Sequence, residues 1–207
     1  LQASGTIELK TIPKGATLVQ STTQLRLKRD EDGNLSRRKA RFCARGDTYT
    51  AGKEVELFAP TAPWGTVRTL LSKATANGYL IKTFDVAAAF TSVDRTGLPD
   101  LYLRPPIEMG YDITKAFHLK RNLYGFAHSP RAFYDDYANF IINDLGFTRC
   151  AYDKTLFKRR TAKGITYMSM YVDDALVIAS TEEAWQELLT EIQNKYTLSS
   201  VGDAHLH

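Results

Sequence analysis

The sequence predicts an α+β fold, an antiparallel sheet with helices on one face. Three observations carry that expectation. Apolar residues recur at helical spacing in three stretches, each opened by a capping residue or closed by a glycine. Short strand-like runs lie between them, some paired across tight turns. The order is hairpin, helix, strand, loop, helix, hairpin, helix, with no regular strand–helix alternation.

The elements follow in chain order. Residues 1–23, rich in Thr, Ser and Gln, read as an N-terminal arm or a peripheral strand. Leu25–Arg29 and Lys39–Arg45 read as two strands. The segment Asp30-Glu31-Asp32-Gly33-Asn34 between them has Asp-Gly turn chemistry, which permits positive φ. Residues 46–63 are loop-like. A helix is predicted from Trp64 to Asn77, with Val67, Leu70, Leu71 and Ala74 on one side and Gly78 as its stop. Tyr79–Val86 reads as a strand that carries Asp85 at its end. A loop with Gly97 and Pro99 leads to short strands at Leu101–Leu103 and Phe117–Lys120. Ser129 as N-cap and Pro130 at the first helical position open the next helix, which Gly146 closes. Strands at Thr155–Arg160, Ile165–Tyr171 and Ala175–Ala179 follow. Ser180 and Glu183 read as a capping box for a last helix, with Ala184, Leu188, Leu189 and Ile192 facing inward.

A chain of 207 residues suits one domain or two small packed subdomains. Its 43% hydrophobic and 24% charged residues describe a globular protein. No apolar run is long enough to cross a bilayer, and the first residues lack a secretory signal, so no membrane partner is expected. The chain begins with Leu1, not Met, and reads as a piece of a longer polypeptide. Cys43 and Cys150 fit neither a zinc spacing nor a disulfide framework, which favours a reducing, intracellular setting.

The net charge of +4 says less than its placement. Arg26, Lys28, Arg29, Arg37, Arg38, Lys39, Arg41 and Arg45 crowd the first hairpin. Arg149, Lys154, Lys158, Arg159, Arg160 and Lys163 form a second group, and Glu182, Glu183, Glu187 and Glu191 gather near the end. Basic clusters of this kind neutralise phosphates. A solvated face is the plainer reading of either cluster taken alone.

Adjacent aspartates at a turn between apolar strands are harder to explain by structure. Asp173 and Asp174 repel one another unless a cation compensates. Asp85, at the end of its own strand, supplies a third carboxylate if the fold brings it near. Three such groups can hold two magnesium ions for phosphoryl transfer, with manganese as an alternative.

Several motifs occur in a fixed order. They are Arg38-Lys-Ala-Arg-Phe-Cys-Ala-Arg-Gly46, Phe58-Ala-Pro60, Phe84-Asp-Val-Ala-Ala-Ala-Phe90 and Leu101-Tyr-Leu-Arg-Pro-Pro106. Leu119-Lys-Arg-Asn-Leu-Tyr-Gly125, Tyr171-Val-Asp-Asp174 and Val201-Gly-Asp-Ala204 complete the set. Together they resemble the reverse transcriptase of copia-type long-terminal-repeat retrotransposons, from about Leu25 to the end. The resemblance implies a right-hand polymerase palm plus a β-rich fingers subdomain. It places residues 24–83 and 97–125 mainly in fingers and residues 84–96 and 126–207 mainly in palm. The thumb and ribonuclease H parts lie outside these residues.

The same resemblance implies the site. Asp85, Asp173 and Asp174 would bind magnesium, with the Val86 carbonyl completing one shell. Phe90, five residues after Asp85, would be the gate that rejects a 2′-hydroxyl. Ala89, Tyr124 and Gly125 would sit by the nucleotide, with glycine letting the backbone approach it closely. Lys28, Arg41 and Arg45 are candidates for the triphosphate, and strand alternation puts Arg41 and Arg45 on one face. Tyr171, Val172, Ser129 and Pro130 would lie near primer and template.

The implied activity is RNA-directed and DNA-directed DNA synthesis. Implied partners are an RNA template, a DNA primer or RNA–DNA hybrid, deoxynucleoside triphosphates and the rest of a polyprotein. The implied setting is a cytoplasmic virus-like particle, with a nuclear phase left open. Two alternatives stay open: a retroelement-derived nucleic-acid-binding or assembly module without catalysis, and a two-metal nuclease. Ala87-Ala88-Ala89 stands where the family usually has polar residues. His205 and His207 have the spacing of a metal pair but read better as a frayed end.

Overall fold

The computed structural model describes residues 1–30, 32–49, 57–95 and 98–204. Glu31 of the hairpin turn, the 50–56 loop segment, Thr96 with Gly97, and residues 205–207 lie outside the described residues. The chain divides into two compact units, Leu1–Leu57 with Phe90–Ala132 and Phe58–Ala89 with Phe133–His207. Each is built on its own sheet.

The first unit holds β1 (Ile7–Thr11), β2 (Thr17–Arg29) and β3 (Leu35–Ala44). The second unit supplies α1 (Trp64–Asn77) and β4 (Leu80–Val86), after which β5 (Leu101–Arg104) and β6 (Lys115–Leu119) return to the first. Its five strands lie in the order β1-β6-β5-β2-β3. All pairs are antiparallel except β2 with β5, which run parallel over Thr17–Gln20. Residues 1–23 are therefore not a loose arm. Ile7 and Val19 are buried with Leu101, Leu103, Phe117 and Phe126 in this unit's core. The sequence signal was weak because polar residues flank these few apolar ones.

Beyond Ser21, β2 leaves β5 and continues with β3 as a two-stranded ribbon. Its turn forms as the Asp-Gly chemistry requires: Gly33 has φ 82, and the Asp30 carboxylate accepts from the Asn34 N–H at 2.8 Å. Register sorts the ribbon's side chains. Gln24 faces Arg41, Arg26 faces Lys39 and Lys28 faces Arg37, all on one side.

The second unit continues with α2 (Ser129–Asn139), whose first turn belongs to the first unit, and a π-helical turn at Phe140–Asp144. Then come β7 (Thr148–Arg149), β8 (Leu156–Thr161), β9 (Gly164–Tyr171), β10 (Asp174–Ala179), α3 (Glu182–Lys195) and β11 (Leu198–Asp203). The sheet order is β11-β4-β10-β9-β8-β7, all antiparallel. The strand β11 was not foreseen, since it reads as polar and is mostly exposed at the sheet edge.

The α+β class stands, but the helices are split between the two faces. Leu70 and Ala74 of α1 pack on Ile178, with Ile81 and Leu176 alongside. On the other face Trp185 of α3 stacks on Phe84 at 6.5 Å, and Tyr137 of α2 donates to the Met168 sulfur. Both central strands are apolar on both sides, so both sides need cover. The capping details also differ. Thr181, not Ser180, caps α3 by accepting from the Ala184 N–H, while the Ser180 hydroxyl accepts from the Ile165 N–H.

The expected division of the chain shifts accordingly. Residues 64–83 were read as mainly fingers, yet α1 packs on β10, β4 and β9 of the second unit. Residues 90–96 and 126–132 fall instead in the first.

Candidate active site

In the second unit β4 lies between β11 and β10. Register sets Asp174 directly opposite Asp85, and Asp85 opposite Ser200 on β11. The strands β9 and β10 are joined by a two-residue turn, Val172-Asp173. Val172 has φ 58, a left-handed conformation unusual for a β-branched residue. The surrounding pairing imposes it: Tyr171 faces Asp174, and the Asp173 carbonyl accepts from the Val86 N–H at 2.9 Å. Ala88 has φ 54, so the non-glycine residues of positive φ among the described residues flank the carboxylates. Backbone strain gathers in this way where surrounding structure fixes a functional geometry.

Carboxylate oxygens of Asp85, Asp173 and Asp174 all lie within 4.8 Å of one another. Asp85 and Asp173 are half-buried and Asp174 is exposed. Burial, and then the charge of Asp173, push the Asp174 carboxyl above its ordinary range, while hydrogen bonding with Asp85 pulls the other way. A divalent cation relieves this repulsion. Three hard oxygen donors suit magnesium or manganese better than zinc or copper.

In the first unit the residues expected near a nucleotide also come together. The Phe90 and Tyr124 rings lie 4.7 Å apart, and the Arg41 guanidinium sits 5.4 Å from the Tyr124 ring centre. Arg41 and Tyr124 border an open cleft of about 510 Å³ that Gln24, Arg45 and Gly125 also help to line. Arg41 and Arg45 both reach this cleft, though β3 ends at Ala44 and strand alternation does not extend to Arg45. Arg45 is ion-paired to Asp47 at 2.8 Å. Lys28 lies further out on the ribbon, opposite Arg37, and does not line the cleft.

Gly125 is needed for a reason other than the one expected. Its φ is 96, and a Cβ there would overlap the Ala44 carbonyl. A Cβ on Gly46 would in turn overlap the Gly125 carbonyl. The Ala44 N–H donates to the Tyr124 carbonyl at 2.8 Å. The glycine thus lets two backbones meet and fixes Tyr124 against β3. Gly46 was missed, although it closes the motif that begins at Arg38.

Three expectations need correction. Ser129 is fully buried, and its hydroxyl donates to the Leu123 carbonyl at 2.7 Å, so it neither caps α2 nor offers a nucleic-acid contact. Half-buried Pro130 lies in the first turn of α2, next to it. Ala89 is 1% exposed, and its methyl group is core. Arg159, read as part of a solvated basic group, is instead buried, 2.7 Å from Glu191 and 3.5 Å from Glu187, over the Phe147 ring.

Comparison with known proteins bears on this arrangement. Residues 5–207 match the family model described as reverse transcriptase (RNA-dependent DNA polymerase). The chain belongs to the reverse transcriptase family. Relatives of this reverse transcriptase chain include the retrovirus-related Pol polyprotein from transposon TNT 1-94 of Nicotiana tabacum. It is 26% identical over 99% of the chain. The Pol polyprotein from transposon RE1 of Arabidopsis thaliana is 29% identical over 93% of the chain. The Ty1-DR4 Gag-Pol polyprotein of Saccharomyces cerevisiae is 27% identical over 76% of it. These are copia-type retrotransposon polyproteins, in agreement with the resemblance carried by the motifs. The chain spans 15%, 13% and 10% of their lengths, respectively. A foamy viral protease-reverse transcriptase, solved in complex with double-stranded DNA, aligns over 99% of this chain and 30% of its own. At TM-score 0.48 and 15% identity, that likeness is too loose to carry an inference.

Proposed function

We propose that this chain is the fingers and palm of a copia-type reverse transcriptase, adding deoxynucleotides to a primer 3′-hydroxyl on an RNA or DNA template. The single observation that carries the reading is the convergence of Asp85, Asp173 and Asp174 within 4.8 Å. These carboxylates, with the Val86 carbonyl, would hold two magnesium ions. When bound, the ions lower the hydroxyl's pKa and offset the charge on the leaving pyrophosphate.

The chain's own residues do the rest by positioning. Asp173 and Asp174 are fixed by the β9–β10 turn and by the hydrogen bond from Val86 to Asp173, so the carboxylates need little reorganisation. In the first unit Arg41 takes the triphosphate, and Tyr124 offers a ring face beside Phe90. Phe90 is the gate against a 2′-hydroxyl. The basic ribbon grips phosphate without reading sequence. The partners in this reading are template, primer and deoxynucleoside triphosphates. The setting is a polyprotein product in a cytoplasmic particle, with a nuclear phase open.

Primer extension by the full-length polymerase with magnesium is the direct test. Asp173→Asn should cut the rate on the order of 10³-fold, the loss of several kcal/mol of charge stabilisation. Extension that survives this substitution defeats the proposal. One observation favours a second reading, a non-catalytic nucleic-acid-binding module: the run Ala87-Ala88-Ala89, in which Ala89 is buried. Such a module should show no carboxylate-dependent magnesium binding by titration calorimetry.

A further inference from the structure

The second unit has an apolar cleft of about 570 Å³ next to the carboxylates, lined in part by Trp64, Val67, Leu71, Tyr171, Leu176 and Asp174. Two features of it have no structural explanation. Trp64 is 76% exposed, whereas Trp185 is 3% exposed. Ser169, also in the lining, is 2% exposed, and its hydroxyl has no hydrogen-bond partner among the described residues. Exposing an indole and burying an unpaired hydroxyl both cost stability. Together they make a flat apolar wall with a polar group at the base.

We infer that this cleft takes a nucleobase of a bound nucleic-acid strand, with Trp64 as its stacking platform and Ser169 as partner to its polar edge. The inference rests on the polymerase reading above. A base has two apolar faces and a rim of donors and acceptors, which matches this lining. Tyr171, 56% exposed, supplies a second aromatic wall. Trp64 is held in place relative to the carboxylate turn, because Thr61 pairs with Tyr171 and α1 starts three residues later. The helix also suits a strand rather than a free base. It contains no acidic residue, and Arg68, exposed one turn beyond Trp64, can meet a phosphate. Trp64 is thus a positioning residue that seats the strand beside Asp174.

Tryptophan fluorescence tests this on the intact chain. The difference between wild type and Trp64→Phe isolates Trp64 without disturbing Trp185. An RNA template annealed to a DNA primer, with a single-stranded overhang, should quench Trp64 in a saturable manner. Trp64→Ala should weaken binding of that hybrid on the order of ten-fold or more, and Trp64→Phe much less. The lost part should vary little with salt, unlike phosphate contacts. Ser169→Ala should lower affinity without lowering the melting temperature. The inference is overturned if the hybrid binds by anisotropy while Trp64 is unperturbed. Quenching by an apolar dye or a free nucleoside monophosphate but not by the hybrid also overturns it. Stacking does not need the carboxylates, so quenching tests this site and Asp173→Asn extension tests the polymerase reading, each on its own.

Discussion

The two units concentrate charge of opposite sign in different geometries. In the second, three carboxylates converge on a point within 4.8 Å. In the first, cations line one side of the β2–β3 ribbon, with Arg26 facing Lys39 and Lys28 facing Arg37. Like charges opposed across a strand pair destabilise it, as do carboxylates crowded at a turn. Each arrangement suits an added counter-charge. A point of negative charge suits a small divalent ion, and a line of positive charge suits a polyanion. The fold holds both against repulsion by strand register, at the turn of one hairpin and along the shaft of the other.

The comparison can be broken or sharpened by experiment. The largest effect is expected where a cation already has its counter-charge inside the fold. Arg159 is buried between Glu187 and Glu191, so Arg159→Ala should destabilise by about 3–5 kcal/mol. Exposed Arg160, its neighbour, should tolerate the same change within about 0.5 kcal/mol in chemical denaturation. Equal losses at the two positions would undo the distinction between buried and exposed cations. Next comes Gly125→Ala, where positive φ and the Ala44 carbonyl both oppose a Cβ. A loss of about 2 kcal/mol is expected, read as a melting point lowered by roughly 4–8 °C.

The ribbon's effect should appear in binding, not folding. Replacing Arg26, Lys28 and Arg37 together by Gln should flatten the salt dependence of single-strand binding by about 2 log units per decade of salt. An unchanged slope would remove the polyanion from this face. The smallest effect concerns the carboxylates without metal. The Asp174 carboxyl is raised in the folded chain from its ordinary 3.8, so the folded state holds that proton longer. Its contribution is therefore lost as pH rises above about 4. Discounted for exposure, Asp174→Asn should raise the melting temperature at pH 7 by roughly 1–3 °C in chelator, with a smaller gain at pH 4. Magnesium should stabilise the wild type and not this variant.

Much of this was legible in the sequence, for local reasons. The helix Trp64–Asn77 begins and ends where its apolar spacing and Gly78 put it. The turn at Val172-Asp173 and the strands around it follow from two apolar runs that leave the aspartates between them. What sequence could not show depended on partners distant in the chain. Asp85 meets Asp174 only through the β4–β10 register. Gly125 needs the Ala44 backbone and Gly46 the Gly125 backbone, and Ser129 and Arg159 looked available until their burial was known. The strand β11 has almost no apolar signal because it covers an edge instead of filling a core.

That plain edge strand has a practical consequence. It pairs with β4 from Leu198 to Asp203 and so separates the strand bearing Asp85 from solvent. Cleavage between α3 and β11 would bare the sequence Leu-Ile-Lys-Thr-Phe-Asp-Val along an unpaired edge. Such an edge recruits foreign strands. A nicked molecule is therefore expected to aggregate through the strand that carries Asp85, which makes six mostly exposed residues a guard of the protein's solubility.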